Sequence, residues 1–86
     1  MSLTSLRDAL KEKKIKFGVE EAKKLIKRGE VKEIFISSNC VLEVKEELKK
    51  YCEISGCKVN NLKESSKDLG AICRKPFSIS VCCYLK

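Results

Sequence analysis

Glu33-Ile34-Phe35-Ile36-Ser37 is the stretch that decides the fold. Three consecutive bulky apolar residues, two of them β-branched, do not alternate with polar ones. They read as a central strand buried on both faces of a sheet. Such a strand needs helices on each side, and the flanking sequence supplies them. Upstream, Val19, Ala22, Leu25 and Ile26 recur at helical spacing. Gly18 stands before that run, and Gly29 follows Lys27 and Arg28 where a C′ glycine belongs. Downstream, Val44, Leu48, Tyr51 and Cys52 mark another helix that ends before Gly56.

The same alternation continues outward. Leu3, Leu6 and Leu10 share one helical face, with Ser2 as the candidate N-cap. Lys14-Ile15-Lys16-Phe17 alternates as a short strand does, and Cys57 to Leu62 is a weaker strand. Ser65 or Ser66 caps a fourth helix, Asp68 pairs with Ser65 in the manner of a capping box, and the helix runs to about Cys73 before Pro76 stops it. Ile79 to Leu85 is the last strand. The order α-β-α-β-α-β-α-β predicts an α/β layered fold, with helices on both faces of a four-stranded sheet burying Phe35 and Val81 from two sides. No linker or internal repeat interrupts it, so residues 1–86 read as one domain.

Composition removes several functional classes. Hydrophobic residues make up 43% of the chain, against only 4 Gly and 1 Pro, which excludes collagen-like and low-complexity chains and argues against disorder. No apolar run approaches the ~20 residues that span a bilayer. Met1 to Asp8 carries no charged, then apolar, leader pattern, so a cytoplasmic location is expected. With no His, the triad chemistry of Ser-His-Asp, Cys-His nucleophiles and Cys2His2 zinc are all absent. The six cysteines (40, 52, 57, 73, 82 and 83) include no CxxC pair. They read as small buried hydrophobes rather than as metal ligands, a disulfide framework or a catalytic thiol. Cys82 and Cys83, neighbours in a strand, should face opposite sides of the sheet. No metal, cofactor or small-molecule substrate is expected.

Charge points to a partner. Lys and Arg number 19 against 12 acids, a net +7. The excess is spread along the chain, which predicts a basic face on the folded molecule and attraction to polyanions, RNA or DNA foremost. Three stretches could carry the contact. The first is Phe17-Gly18-Val19-Glu20-Glu21-Ala22-Lys23-Lys24-Leu25-Ile26-Lys27-Arg28-Gly29, a glycine-opened helix whose free N–H groups suit an anion and whose Lys24 could reach a phosphate or base edge. The second is Ser37-Ser38-Asn39-Cys40, beyond the carboxyl end of the buried strand, where Asn39 either reads a base edge or serves as N-cap or turn residue for the next helix. The third is Arg74-Lys75-Pro76-Phe77-Ser78, which suits phosphate contact and base stacking if Phe77 is exposed; otherwise Phe77 joins the core.

Taken together, these stretches resemble the kink-turn-binding ribosomal protein family of the L7Ae/L30e type over nearly the whole chain. Gly18, Lys24 and Gly29 match its glycine, helix lysine and closing glycine. Ile34 to Cys40 matches its strand ending at Asn-Cys. Leu69-Gly70-Ala71-Ile72-Cys73-Arg74-Lys75-Pro76-Phe77 matches its Leu-Gly-x-x-Cys-x-Lys-x-Phe stretch and is most similar to the L30e branch of the archaeal and eukaryotic large subunit. The resemblance implies a three-layer α/β/α sandwich with a four-stranded mixed sheet. It also implies a non-catalytic protein that binds kink-turn-like structured RNA, with ribosomal RNA in the cytoplasm as the expected partner and other ribosomal proteins as neighbours. The implied RNA-binding residues are Gly18, Val19, Glu20, Glu21, Lys24, Asn39, Arg74, Lys75 and Phe77. Two positions depart from the pattern: Glu20 stands where the family has Asn or Lys, and Arg74 where the L30e branch has Gly. The acid at position 20 favours the rival expectation, a protein-interaction module on the same fold that has lost RNA binding.

Overall fold

The computed structural model describes the backbone of residues 2–86 and the side chains of residues 6–86. Eight elements alternate: α1 (Ser2–Glu12), β1 (Ile15–Phe17), α2 (Val19–Lys27), β2 (Val31–Ile36), α3 (Leu42–Ser55), β3 (Lys58–Asn61), α4 (Ser66–Ile72) and β4 (Val81–Leu85). The strand order is β1-β4-β2-β3. β4 is antiparallel to both of its neighbours, and β2 is parallel to β3, so the sheet is mixed.

Two cores lie on the two faces of this sheet. On one, Ala22, Leu25 and Ile26 of α2 and Leu48 and Cys52 of α3 pack on Val31, Ile34, Ile36, Val81 and Cys83. On the other, Leu6 and Ala9 of α1 and Leu69 of α4 pack on Phe35, Cys82 and Tyr84, with Leu62, Cys73 and Ile79 completing the cluster. Phe35 and Val81 are fully buried, on opposite faces, and adjacent Cys82 and Cys83 divide between the cores as strand alternation requires.

Val31 and Ile34 sit three residues apart yet face the same core. The register explains it: Val31 pairs with Leu85 and Glu33 with Tyr84, so Lys32 is an extra residue that reverses the parity of the strand. The strand therefore starts two residues before the expected Glu33, because the bulge lets the charged pair Lys32-Glu33 sit inside it. Ile79 and Ser80, expected in the last strand, lie ahead of β4. Their backbones are used elsewhere: Ser80 O accepts from Ser37 N and Ile79 N donates to Ser66 O, each at 2.9 Å.

Local signals act where expected. Gly29 has φ +72, with Gly29 N to Ile26 O at 3.0 Å and Glu30 N to Leu25 O at 3.1 Å, the paired bonds of a Schellman end. Ser65 Oγ accepts from Asp68 N at 3.2 Å and caps α4. Ser2, expected as an N-cap, is instead the first residue of α1; the side chain of Leu3 lies outside the described residues. All six cysteines are free thiols. Four are buried, and burial pushes Cys83 up to about 12. The neighbouring Cys73 thiol, together with burial, pushes the Cys82 thiol up and keeps it protonated.

One contact between α4 and the segment behind it is unusually close. A Cβ on Gly70 would collide with Phe77 O and stand 3.1 Å from Phe77 C. Gly70 O also accepts from Lys75 N at 2.9 Å. Glycine here is demanded by a neighbouring backbone, which cannot swing aside as a side chain can. Gly70→Ala should cost about 1–3 kcal/mol, the usual range for overpacking. At about 4–8 °C per kcal/mol for a chain of this size, a melting curve would show it; an unchanged Tm would mean that residues 77–78 give way freely.

Candidate nucleic-acid interface

The sheet topology gathers the candidate stretches at one end. β1 runs into Gly18 there, β2 runs out to Ser37–Cys40, and β4 begins there after the 77–80 segment. Gly18 N donates to Val81 O at 2.9 Å, and Gly18 O accepts from Ala22 N at 3.1 Å, so one residue closes the sheet and opens α2. Its φ of +103° suits only glycine, although a Cβ would meet nothing within 4 Å. Conformation, not crowding, selects glycine at this position. Gly18 and Val19 face Phe77, Ser78 and Ile79 across a groove of about 410 Å³, floored by Phe17, Ser80 and Val81.

Phe77 is 57% exposed, so it lies on the rim of this groove and not in the core. Its backbone is held by the close approach to Gly70, which leaves the ring in solvent. Lys75 Nζ stands 5.1 Å from the centre of the Phe17 ring, a cation–π contact that holds the lysine beside the groove. Lys75, Phe77, Gly18 and Val19 are therefore brought together.

Asn39 does not cap the third helix; it sits in the turn that precedes it. Val41 is the N-cap of α3 and makes no side-chain cap bond. Asn39 instead reaches across to α4: Oδ1 accepts from Ser66 N at 2.8 Å and Nδ2 donates to Ser66 Oγ at 3.1 Å. Ser38 N adds a bond to Glu64 O at 2.8 Å. The amide spends its bonding on joining the 37–40 loop to the start of α4. It remains exposed at the same end of the sheet, with reduced capacity to read a base.

Charges on α2 are sorted by their partners. Lys23 turns toward α3, with Nζ 3.0 Å from Glu47 Oε1 and only 4.0 Å from Glu20 Oε1. Tyr51 hydroxyl donates to the same Glu47 oxygen at 3.2 Å, and Lys27 Nζ lies 5.1 Å from the Tyr51 ring. The Glu20 side chain is 92% exposed. Glu21 and Lys24 are exposed as well, and Lys24 has no ion-pair partner among the described residues. Helical side chains lean toward the N-terminus, so Lys24 is directed back toward the Gly18 end, flanked by Glu20 and Glu21 on the preceding turn.

Arg74 parts company with this group. It follows Cys73, the C-cap of α4, with a left-handed φ of +58°, and lines a different concavity, with Arg7 and Lys11 of α1. The sequence stretches that contain Phe17, the ring beneath Lys75, and Gly70 gave neither residue a role of its own. A lone glycine inside a helical pattern is a signal for Gly70. Nothing in the sequence could pair Phe17 with Lys75. Among the described residues, no cluster of three or more His, Cys, Asp or Glu side chains is placed to hold a metal ion.

The Lys23–Glu47 bridge ties α2 to α3 and leaves Lys24 as the outward cation. The Lys23 ammonium holds the Glu47 carboxyl below its ordinary 4.5. A carboxyl lowered in the folded state adds stability above its unfolded pKa, and that stability is lost as pH falls through the folded value. Glu47→Gln should therefore be less stable than the parent at neutral pH, by a small amount because both groups meet solvent. The two denaturation midpoints should converge as pH falls through the lowered folded value of Glu47. A difference that persists in acid would assign the effect to packing.

Comparison with known proteins follows this geometry. The model of the ribosomal protein L7Ae/L30e/S12e/Gadd45 family matches residues 2–86. The large ribosomal subunit protein eL30 of Methanococcus vannielii is 38% identical over 76 residues, covering 88% of this chain and 72% of that protein. Its counterpart in Saccharolobus solfataricus is 37% identical over 75 residues, covering 87% and 69%. Among solved structures, a 15.5 kD RNA-binding protein of Giardia lamblia superposes with a TM-score of 0.85 at 25% identity, covering 98% of this chain and 70% of its own. A Bacillus halodurans protein of unknown function shares the fold, with a TM-score of 0.86 at 21% identity over 98% of this chain and 83% of its own. A family match over residues 2–86, with eL30 relatives above one-third identity, leaves one assignment: the chain belongs to the ribosomal protein L7Ae/L30e/S12e/Gadd45 family.

Proposed function

We propose that this chain is a non-catalytic RNA-binding protein of the large ribosomal subunit type, one domain over residues 1–86. Its ligand is kink-turn-like structured RNA, with ribosomal RNA the natural candidate, and its place is the cytoplasmic ribosome. The observation that carries the reading is the groove at the sheet end, where the exposed Phe77 ring faces Gly18 and Val19. An aromatic on a rigid rim, with Lys75 beside it and the unpaired Lys24 along α2, provides a stacking surface and two phosphate contacts. Glycine at position 18 leaves open space above the helix start, so an RNA backbone or base edge can approach the first N–H groups of α2. Family membership and the eL30 relatives support the same assignment.

Glu20 favours the second reading, a protein-interaction module, because it places an exposed carboxylate at the helix start that would meet phosphate. The exposed Val41 and Leu42 at the start of α3 add apolar surface such a module could use. Binding to a kink-turn duplex and to a plain duplex of equal length and charge separates the two. Clearly tighter binding to the kink-turn is expected; equal binding at moderate salt would reduce the interaction to polyanion attraction. Lys24→Ala should weaken kink-turn binding and lower the salt slope by about one. Glu20→Asn should tighten binding by removing repulsion and supplying a donor. Weaker binding by a folded Glu20→Asn would make Glu20 itself a base-reading residue.

A further inference from the structure

The concavity of about 690 Å³ between α1 and the end of α4 has a rim of Arg7, Lys11 and Arg74 and a floor of Leu10, Ile72 and Cys73. We propose that it holds backbone phosphates of the RNA arm that leaves the Gly18–Phe77 groove, a second RNA contact separate from the first. The inference rests on the RNA-binding reading above and adds a site to it.

Three observations carry it. First, α1 sorts its charges by flank. Arg7 and Lys11 line the concavity, while Glu12, on the other flank, accepts the hydroxyl bond of Tyr84, and the negative field of Asp8 also falls on Tyr84. Among the described residues, no carboxylate pairs with Arg7, Lys11 or Arg74. Three unpaired cations around one hollow repel each other, and an anion relieves that repulsion. Second, Arg74 occupies a left-handed conformation, φ +58°, which disfavours any side chain and suits glycine. The cation is present there despite the backbone. Third, the two sites are continuous along the chain. Arg74 lines this concavity, and the next residue, Lys75, stands over Phe17 at the floor of the groove. A strand leaving the groove past Lys75 meets the Arg74 rim next. The apolar floor suits a ribose face, and the arginine forks suit phosphate oxygens.

The test uses the whole protein and two kink-turn RNAs, one with arms trimmed to the minimum and one with arms extended by about a helical turn. Arg7→Ala/Lys11→Ala should bind the short RNA as the parent does. It should bind the extended RNA about tenfold more weakly, with a salt slope lower by about two. Arg74→Gly, which removes the charge and relieves the backbone, should show a partial loss on the extended RNA with no loss of thermal stability, separating binding from folding. Unchanged affinity of the double variant for the extended RNA would overturn the proposal, as would an equal loss on both RNAs. A parent protein that binds neither RNA would defeat the RNA-binding reading itself. Retention of an acidic peptide by the Arg7, Lys11 and Arg74 rim in that case would assign the hollow to a protein partner and overturn the phosphate site.

Discussion

Ile34, Phe35 and Ile36 pair antiparallel with Cys83, Cys82 and Val81, and none of the six is more than 1% exposed. Everything at the candidate interface hangs from this ladder. Antiparallel pairing sets the end of β2 beside the beginning of β4, and β1, antiparallel to β4, delivers Gly18 to the same place. Burial on both faces fixes the register, because a slip by one residue would send Phe35 and Ile34 into each other's core. Three loops that are distant in sequence are therefore held as one surface without needing to contact one another through their own side chains.

That surface is stiffened by contacts that fix the main chain. The Gly70 approach fixes Phe77 by its carbonyl, Asn39 fixes the 37–40 loop to Ser66, and Gly18 is bonded on both sides. Each device immobilises main chain, and of the three only the one at Asn39 spends a side chain to do so. An exposed ring on a mobile loop would lose conformational entropy on stacking with a base; a ring on a fixed rim loses less. The cost is a set of positions, 18 and 70 above all, where only glycine fits.

The electrostatic pattern follows the same division. The net +7 is not uniformly available to a partner. Lys23 is spent on Glu47, and Lys58 leans on the buried Glu33 at 3.9 Å, while Glu12 is turned away to Tyr84. Among the cations left without an ion-pair partner are Lys24 on α2 and the Arg7–Lys11–Arg74 group around α1 and α4.

Much of this protein is written in local pattern. The apolar run at 34–36, the helical spacings around it, Gly29, Ser65 and Pro76 determine the eight elements and their order, because periodicity, caps and breakers act within a few residues. Family likeness and the main candidate positions are legible for the same reason, as short motifs of fixed spacing. Tertiary structure alone decided the rest. Asn39 could have capped α3 or met a ligand; only the packing of α4 against the 37–40 loop set its amide on Ser66. Phe77 could have entered the core; the close approach at Gly70 keeps its backbone outside. Arg74 stood beside Lys75 in every sequence-level reading, yet the left-handed turn at the end of α4 sends the two to different sites. Pairings between Lys75 and Phe17, or Arg7 and Arg74, depend on how elements 58 and 67 residues apart come to lie together. Local pattern carries no record of that, because the free energy that decides it is gained only when the sheet and both helical layers have closed.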